Sequence, residues 1–510
     1  MLGPACKALI DPGVYWLRFF YGKKRRMLFN SIQFAVFFPI AVLVYFIIPY
    51  RFRNIWLLVT SYFYYMCWRK EYALLMLSST LITYLSALFM EGRSLGAKKA
   101  AVAVSFILNL SILGFFKYFH FFFDSLDFLV DKAGGHLDKP AFDVLLPVGI
   151  SFYIFQALSY TMDVYRGEVK CEKNFLKYAL FVSFFPQLVV GPIERSKNLL
   201  SQFDERHEFE YKRVRDGLFR MLWGFFLKLV LVARLSVIVD LIYGNSADCT
   251  GYQLMLGTFF FALQIYCDFS GYSEIAIGAA KVLGFTLMEN FRQPFFATSC
   301  KELWNRWHIS LNTWFRDYLY FPLGGSRKGV FRKYVNLMIV FAVSGLWHGA
   351  AWTFVVWGVL SGLFQVFGDL LRPLRKRLRE LLHIGEKNPV LYVLSVIMTF
   401  MFFCISLVFF RSQSMEQALF IMKSIFTAFD FGSVITTSPA SLGLGVFHLA
   451  ILVFSLIILF AVDLYKEKGY IFTGIFARRP LVRWGFYYML VTLIILSANF
   501  GAEEFIYFRF

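Results

Sequence analysis

The sequence predicts an all-α polytopic membrane protein, and three observations carry that prediction. The 510 residues are 58% hydrophobic and 20% aromatic, with Phe alone at 64, and the mean hydropathy is +0.59. A soluble domain of this size does not carry such an excess. Apolar runs recur at the roughly 17–25 residues a helix needs to cross a bilayer. They are continuous rather than alternating, which excludes a transmembrane β-barrel.

Charge and cysteine usage narrow the class. The formal net charge is +19, from 52 Lys and Arg against 33 Asp and Glu. In a soluble chain this would suggest nucleic acid. Here the bases cluster in short loops between apolar runs, as the positive-inside rule requires, so no nucleic-acid partner is expected. A secondary attraction to anionic lipid headgroups fits the same charge. The seven cysteines, Cys6, Cys67, Cys171, Cys249, Cys267, Cys300 and Cys404, are scattered without a Cys-x-x-Cys pair. They indicate neither a disulfide framework nor a zinc site, and no metal is expected.

Residues 1–26 lack a signal-peptide core and end in Lys23-Lys24-Arg25-Arg26. We read them as a tail or an artefact of start-site choice, and 27–510 as one integral membrane domain. Apolar runs follow at Phe29–Pro49, Ile55–Trp68 and Tyr72–Met90. The basic loop Glu91–Lys99 is assigned to the cytoplasm, Ala100–Phe123 crosses, and the acidic stretch Asp124–Asp143 lies outside. Alternation then starts the first span outside, against the pull of the Lys23–Arg26 cluster. Val144–Met162 returns inward. Tyr178–Pro192 has basic flanks on both sides and is broken by Pro186, Gly191 and Pro192. That pattern reads either as a plain, short span or as a re-entrant hairpin, which must be buried in protein or line a cavity.

Gly217–Tyr243 crosses outward. Tyr252–Phe285 exceeds one span and is interrupted by Cys267-Asp268-Phe269-Ser270-Gly271-Tyr272-Ser273-Glu274. A carboxylate inside an apolar run costs about 2.5–3.5 kcal/mol on insertion scales. Asp268 therefore implies partners and a polar cavity, unless this point lies at the membrane surface. Asn336–Leu371 is basic at both ends, so it crosses an even number of times, turning at Ser344–Gly349. Its first arm, Asn336–Val343, is too short to span, which places the tip and His348 within the membrane. Val390–Phe410 goes out, Arg411–Ser441 is an outside loop with an amphipathic segment at Met415–Phe429, Phe447–Tyr465 comes in, and Trp484–Phe500 goes out. The total is about ten to twelve membrane segments, re-entrant ones included.

One polar stretch stands apart. Ser299–Arg327 opens with a capping box, Ser299 and Glu302, and runs without Gly or Pro until Pro322. On a continuous helix, Asn305, His308, Asn312 and Arg316 form one stripe, and Trp304, Trp307, Leu311, Trp314 and Phe315 the next. The stretch reads either as an interfacial helix with a solvated face or as the wall of a site. Of the seven histidines, His136, His207 and His383 sit in polar loops, and His120 and His448 sit near span ends. Only His308 and His348 lie where the apolar pattern is interrupted. Buried histidine is often structural, yet it can also exchange a proton near neutral pH. There is no Gly-x-Ser-x-Gly elbow and no His-Glu-x-x-His, and Gly324-Gly325-Ser326 is too short for a phosphate loop. A histidine without a nucleophile partner suits direct acyl transfer. It deprotonates a hydroxyl that attacks an activated thioester, with Asn305 or Arg306 as oxyanion donors.

Several stretches in order carry a resemblance: Met27-Leu28-Phe29-Asn30-Ser31, Leu146-Pro147-Val148-Gly149-Ile150-Ser151-Phe152, Phe185-Pro186-Gln187-Leu188-Val189-Val190-Gly191-Pro192-Ile193-Glu194 and Tyr266-Cys267-Asp268-Phe269-Ser270-Gly271-Tyr272. The most specific are Trp304–His308 running into Arg316-Asp317-Tyr318-Leu319-Tyr320, and Gly345-Leu346-Trp347-His348-Gly349. From Met27 onward the chain resembles the membrane-bound O-acyltransferase family, in its bacterial alginate O-acetylase-like branch. The resemblance implies a helical bundle with re-entrant pieces around a tunnel, and an active site marked by His308 and His348. Asn305, Arg306, Asn312, Arg316, Asp268, Ser270 and Tyr272 are then expected to line the tunnel. Glu274 stands where relatives often have Asp, with the charge kept. No bound cofactor is implied. The expected donor is acetyl-CoA or a carrier-protein thioester on the cytoplasmic side. The acceptor is a hydroxyl of an extracytoplasmic polysaccharide, or of a partner protein that acylates it, and the location is the bacterial cytoplasmic membrane. Two alternatives are a D-alanine transfer component for teichoic acids, whose members are usually shorter, and a transporter, which broken helices and a midplane carboxylate would also suit.

Overall fold

The computed structural model describes residues 27–138, 146–383, 385, 388–437, 442–469 and 480–497. The expected tail, residues 1–26, and the end of the last run, 498–500, lie outside the described residues. Among those described every regular element is a helix.

Ser31 starts α1 (Ile32–Ile47), its Oγ accepting from Phe34 N at 3.2 Å, as an N-cap should. Then come α2 (Tyr50–Met66), α3 (Lys70–Met90) and α4 (Leu95–Lys132), the last widened into a π turn at Gly114–Tyr118. α5 (Ile150–Arg166) begins after Gly149, whose φ of +74° suits glycine. A Cβ there would stand 2.9 Å from Leu188 O, so only glycine lets α5 meet the segment that follows.

That segment, α6 (Phe175–Ser183) and the single turn α7 (Phe185–Leu188), behaves as its helix breakers predict. Phe181, Phe184 and Phe185 are fully buried. The backbone freed at the break finds side chains of neighbouring helices: Gln156 Nε2 donates to Phe181 O at 2.5 Å, and Phe185 N donates to Ser61 Oγ at 3.0 Å. Irregular backbone away from water is tolerated on those terms.

After the short α8 (Ser196–Leu199), α9 (Tyr211–Phe226) passes through a π turn at Leu227–Val232 into α10 (Ala233–Gly244) and lies antiparallel to α11 (Gly251–Leu283). Small residues let these two backbones touch. A Cβ on Gly224 would fall 2.5 Å from Gly271 O, and one on Gly278 2.6 Å from Gly217 O. This register sets Lys228 opposite Asp268. It also corrects an expectation, because α11 is unbroken through Cys267–Glu274. The glycine there serves the crossing and the carboxylate has a partner, so the tract need not interrupt the helix.

Ser299–Arg327 is corrected in the opposite sense. It is not one helix but α12 (Cys300–Arg306), a break at Trp307–His308, and α13 (Ile309–Phe315) widening into a π turn at Arg316–Tyr320. The hairpin that follows is α14 (Val330–His348) and α15 (Trp352–Leu370). Its first arm starts six residues before the expected Asn336 and is 19 residues long, because Arg332 and Lys333 belong to its first turn. The arm is therefore not too short. The chain closes with α16 (Arg372–Leu381), α17 (Pro389–Arg411), α18 (Met415–Thr427), α19 (Phe431–Thr436), α20 (Val446–Glu467) and α21 (Pro480–Ser497).

Among the described residues eight helices are long and apolar enough to cross a membrane: α3, α4, α11, α14, α15, α17, α20 and α21. α1, α2 and α5 are shorter, at 16, 17 and 17 residues. α11 is the most enclosed of the eight, and α9, α10, α17 and α18 pack around it. One hydrophobic cluster runs from Met27 to Leu493.

Candidate active site

His308 sits at the break, with φ 43° and ψ 54°. A left-handed backbone at a non-glycine residue costs of order 1–3 kcal/mol and persists only where the surroundings hold it. Here a loop rising from the end of α11 holds it. Arg292 N donates to Arg306 O and Ile309 N to Asn290 O, both at 2.9 Å. From the other side Asn312 Nδ2 donates to the carbonyls of Trp304 and Trp307, at 2.7 and 2.5 Å. The peptide groups released by the break are thus re-satisfied.

The same loop orients the ring. Asn290 Oδ1 accepts from Ser310 N at 3.3 Å and from Ser310 Oγ at 2.9 Å, and lies 3.1 Å from His308 Nδ1. Asn290 Nδ2 donates to Ser273 Oγ at 3.2 Å. A backbone N–H pointing at Oδ1 identifies it as the oxygen, so Nδ1 of His308 is the donor. The lone pair of the neutral ring then lies on Nε2. Among the described residues Nε2 is buried with no hydrogen-bonding partner, and His308 as a whole is 1% exposed.

His348 is the last residue of α14, and its ring centroid lies 6.3 Å from that of His308. The surrounding glycines explain the motif. A Cβ on Gly349 would sit 2.2 Å from the Phe354 ring, and one on Gly345 2.3 Å from Phe354 O, so α14 and α15 close only with glycine at both. Aromatic rings wall the pair. Phe269 meets His308 edge-on at 4.5 Å, Trp357 meets His348 at 4.9 Å, and Trp347 lies 5.9 Å from one and 5.0 Å from the other. The π turn of α4 caps the C-terminus of α14. Lys117 Nζ donates to Trp347 O, with Ser151 Oγ at 3.3 Å and His348 O at 3.5 Å, while Tyr118 OH donates to Leu346 O at 2.9 Å. The last carbonyls of a helix lack intrahelical donors, and a cation there is favourable.

The other expected residues divide. Asp268, 1% exposed, pairs with Lys228 Nζ at 2.6 Å, and that ammonium lies 4.8 Å from the Tyr272 ring centroid. Ser270 is buried on the same helix, and Tyr272 packs on Phe29 at 5.5 Å. Asn312 is half-buried and holds the break. Asn305 is exposed. Arg306 is held by Glu302 at 2.6 Å and by both oxygens of Glu467 at 2.5 and 3.0 Å. The side chain of Arg316 is 55% exposed and pairs with Asp317 at 2.9 Å. The structure therefore does not bring Asn305, Arg306 or Arg316 to the histidines. The stripe that would have aligned them needed a continuous helix. Among the described residues no three His, Cys, Asp or Glu cluster as metal ligands.

Asn290, Lys117 and Lys228 escaped the sequence. For the two lysines a signal was present, since each lies inside an apolar run, as Asp268 does, and intramembrane charges demand partners equally. Asn290 had no such signal.

Comparison with known proteins bears on this arrangement. Residues 172–412, which contain both histidines, match the membrane-bound O-acyltransferase family. A probable alginate O-acetylase of Pseudomonas putida is 37% identical over 410 residues, covering 79% of this chain and 81% of that one. A peptidoglycan O-acetyltransferase of Helicobacter pylori is 32% identical over 433 residues, covering 78% and 80%. A teichoic acid D-alanyltransferase of Bacillus subtilis is 26% identical over 294 residues, covering 54% and 71%. The chain is a membrane O-acyltransferase and belongs to the membrane-bound O-acyltransferase family.

Proposed function

We propose that the protein moves an acetyl group from a thioester on the cytoplasmic side of the bacterial cytoplasmic membrane to a hydroxyl on the other side. The hydroxyl belongs to an extracytoplasmic polysaccharide, or to a partner protein that then acylates it. The observation that carries this is the presentation of His308 Nε2 toward an aromatic-walled core shared with His348. As general base, Nε2 takes the acceptor hydroxyl proton while the oxygen attacks the thioester carbonyl. Collapse of the tetrahedral intermediate breaks the C–S bond, and the thiolate leaves with a proton returned through the imidazolium. An ester and a free thiol result. His348, across from His308, contacts the reacting acyl group. Asp268 and Lys228 hold α11 against the π turn between α9 and α10, rather than reacting.

The names of the Pseudomonas putida and Helicobacter pylori relatives support acetyl and a glycan acceptor. The Bacillus subtilis relative supports a second reading, D-alanyl transfer, over a smaller share of the chain. Inside-out membrane vesicles given labelled acetyl-CoA decide between them. Label appearing as an alkali-labile ester on lumenal glycan supports acetyl transfer. Incorporation only from a D-alanyl carrier thioester sinks it.

A further inference from the structure

α16 follows α15 without a linker: Leu371 N donates to Phe367 O, and Arg375 N to Leu371 O, both at 2.9 Å. The Arg375 guanidinium also donates to Gly368 O. The helix thus starts where a membrane-crossing helix ends. At 100° per residue, Leu371, Leu374, Leu378, Leu381 and Leu382 fall within an arc of about 100°. All five are between 47 and 66% exposed, so among the described residues nothing covers this face. Arg375 and Arg377 border the arc. Arg372, Lys376 and Arg379 lie farther round, and Glu380, the only acid on the helix, sits opposite, 3.8 Å from Lys376.

We propose that α16 lies in the membrane interface and binds anionic phospholipid, with its leucines among the acyl chains and its bases on the headgroups. An apolar arc bordered by long cationic side chains is the pattern of an interfacial helix, since Arg and Lys stems lie along apolar surface while their heads reach outward. The excess of positive charge selects anionic over zwitterionic headgroups. A soluble acidic partner would satisfy the bases but leave five leucines in water. Lipid satisfies both faces and is already present at the end of α15. α16 is then a lipid-held foot for the hairpin whose tip carries His348.

Hydrogen–deuterium exchange of the full chain in nanodiscs tests this, read at the peptide covering 371–382. Exchange is expected to be slower by about tenfold in discs containing phosphatidylglycerol than in phosphatidylcholine alone. That difference should vanish in a chain carrying Arg375→Gln, Lys376→Gln, Arg377→Gln and Arg379→Gln. Leu374→Gln with Leu378→Gln should speed exchange in both lipids. Equal exchange of the unmodified chain in the two lipids overturns the proposal. So does protection that appears only when an acidic carrier protein is added. The unmodified chain decides by itself, even if a variant fails to fold.

Discussion

In the proposed role His308 needs its proton on the correct nitrogen, and it owes that to Asn290 rather than to a carboxylate. An amide oxygen fixes the tautomer without offering a charge to stabilise an imidazolium, so Asn290 orients the base more than it strengthens it. Asn290→Ala should lower kcat about 10–100-fold with KM little changed, the scale known for hydrogen-bond partners that orient metal-bound histidines. Steady-state kinetics checks this, and a change confined to KM contradicts it. Lys117 acts on the other histidine through the backbone. Lys117→Met should lower kcat at unchanged expression, whereas Lys117→Arg, which keeps a cation at the end of α14, should restore most of it. Equal loss in both would mean that the site needs the lysine's shape and not its charge. At this scale the sequence was half legible. His308 and His348 stood out by their motifs and their place in the apolar pattern. Asn290 lies in a polar loop whose approach to the break exists only in the folded chain.

Among the elements, continuous helix was the natural expectation for Ser299–Arg327, because nothing at Trp307–His308 breaks helices. The break comes from outside, from the Asn290–Arg292 backbone pairing with Arg306 and Ile309, and no local propensity encodes that. The broken, buried pair α6–α7 was legible because Pro186, Gly191 and Pro192 announce the break. The α9–α11 crossing was not, since its glycines are widely spaced and gain meaning only when the helices are set side by side. Gly224→Ala places a methyl against Gly271 O and should destabilise by about 1–3 kcal/mol, as overpacking does. Gly485→Ala, where a Cβ meets nothing within 4 Å, should be neutral. Thermal unfolding of the two variants in detergent compares them directly.

For the molecule as a whole, composition and charge already predicted a helical bundle with its basic loops on one side. What they left open was how that bundle tolerates charge in its interior. For Lys117 the answer is helix-end carbonyls, and for Asp268 and Lys228 it is pairing. Asp268 and Lys228 come from neighbouring helices that touch through glycine, and both are almost wholly buried. Breaking such a pair by removing one partner costs about 3–5 kcal/mol, whereas replacing both can be nearly neutral. Asp268→Leu and Lys228→Met should each lower the unfolding midpoint sharply, and the double variant should recover most of it. If the double variant folds but transfers no acyl group, the pair also takes part in the reaction.

The central claim is that His308 is the base of acyl transfer, and the most direct measurement is transfer by the His308→Ala protein. Wild type and variant, reconstituted at matched amounts with the unfolding midpoint as a control for folding, are given the same thioester donor and glycan acceptor. A fall in turnover of about 10²–10⁴-fold is predicted, the contribution of a positioned general base. Turnover within a few-fold of wild type, in a variant that remains folded, would contradict the account.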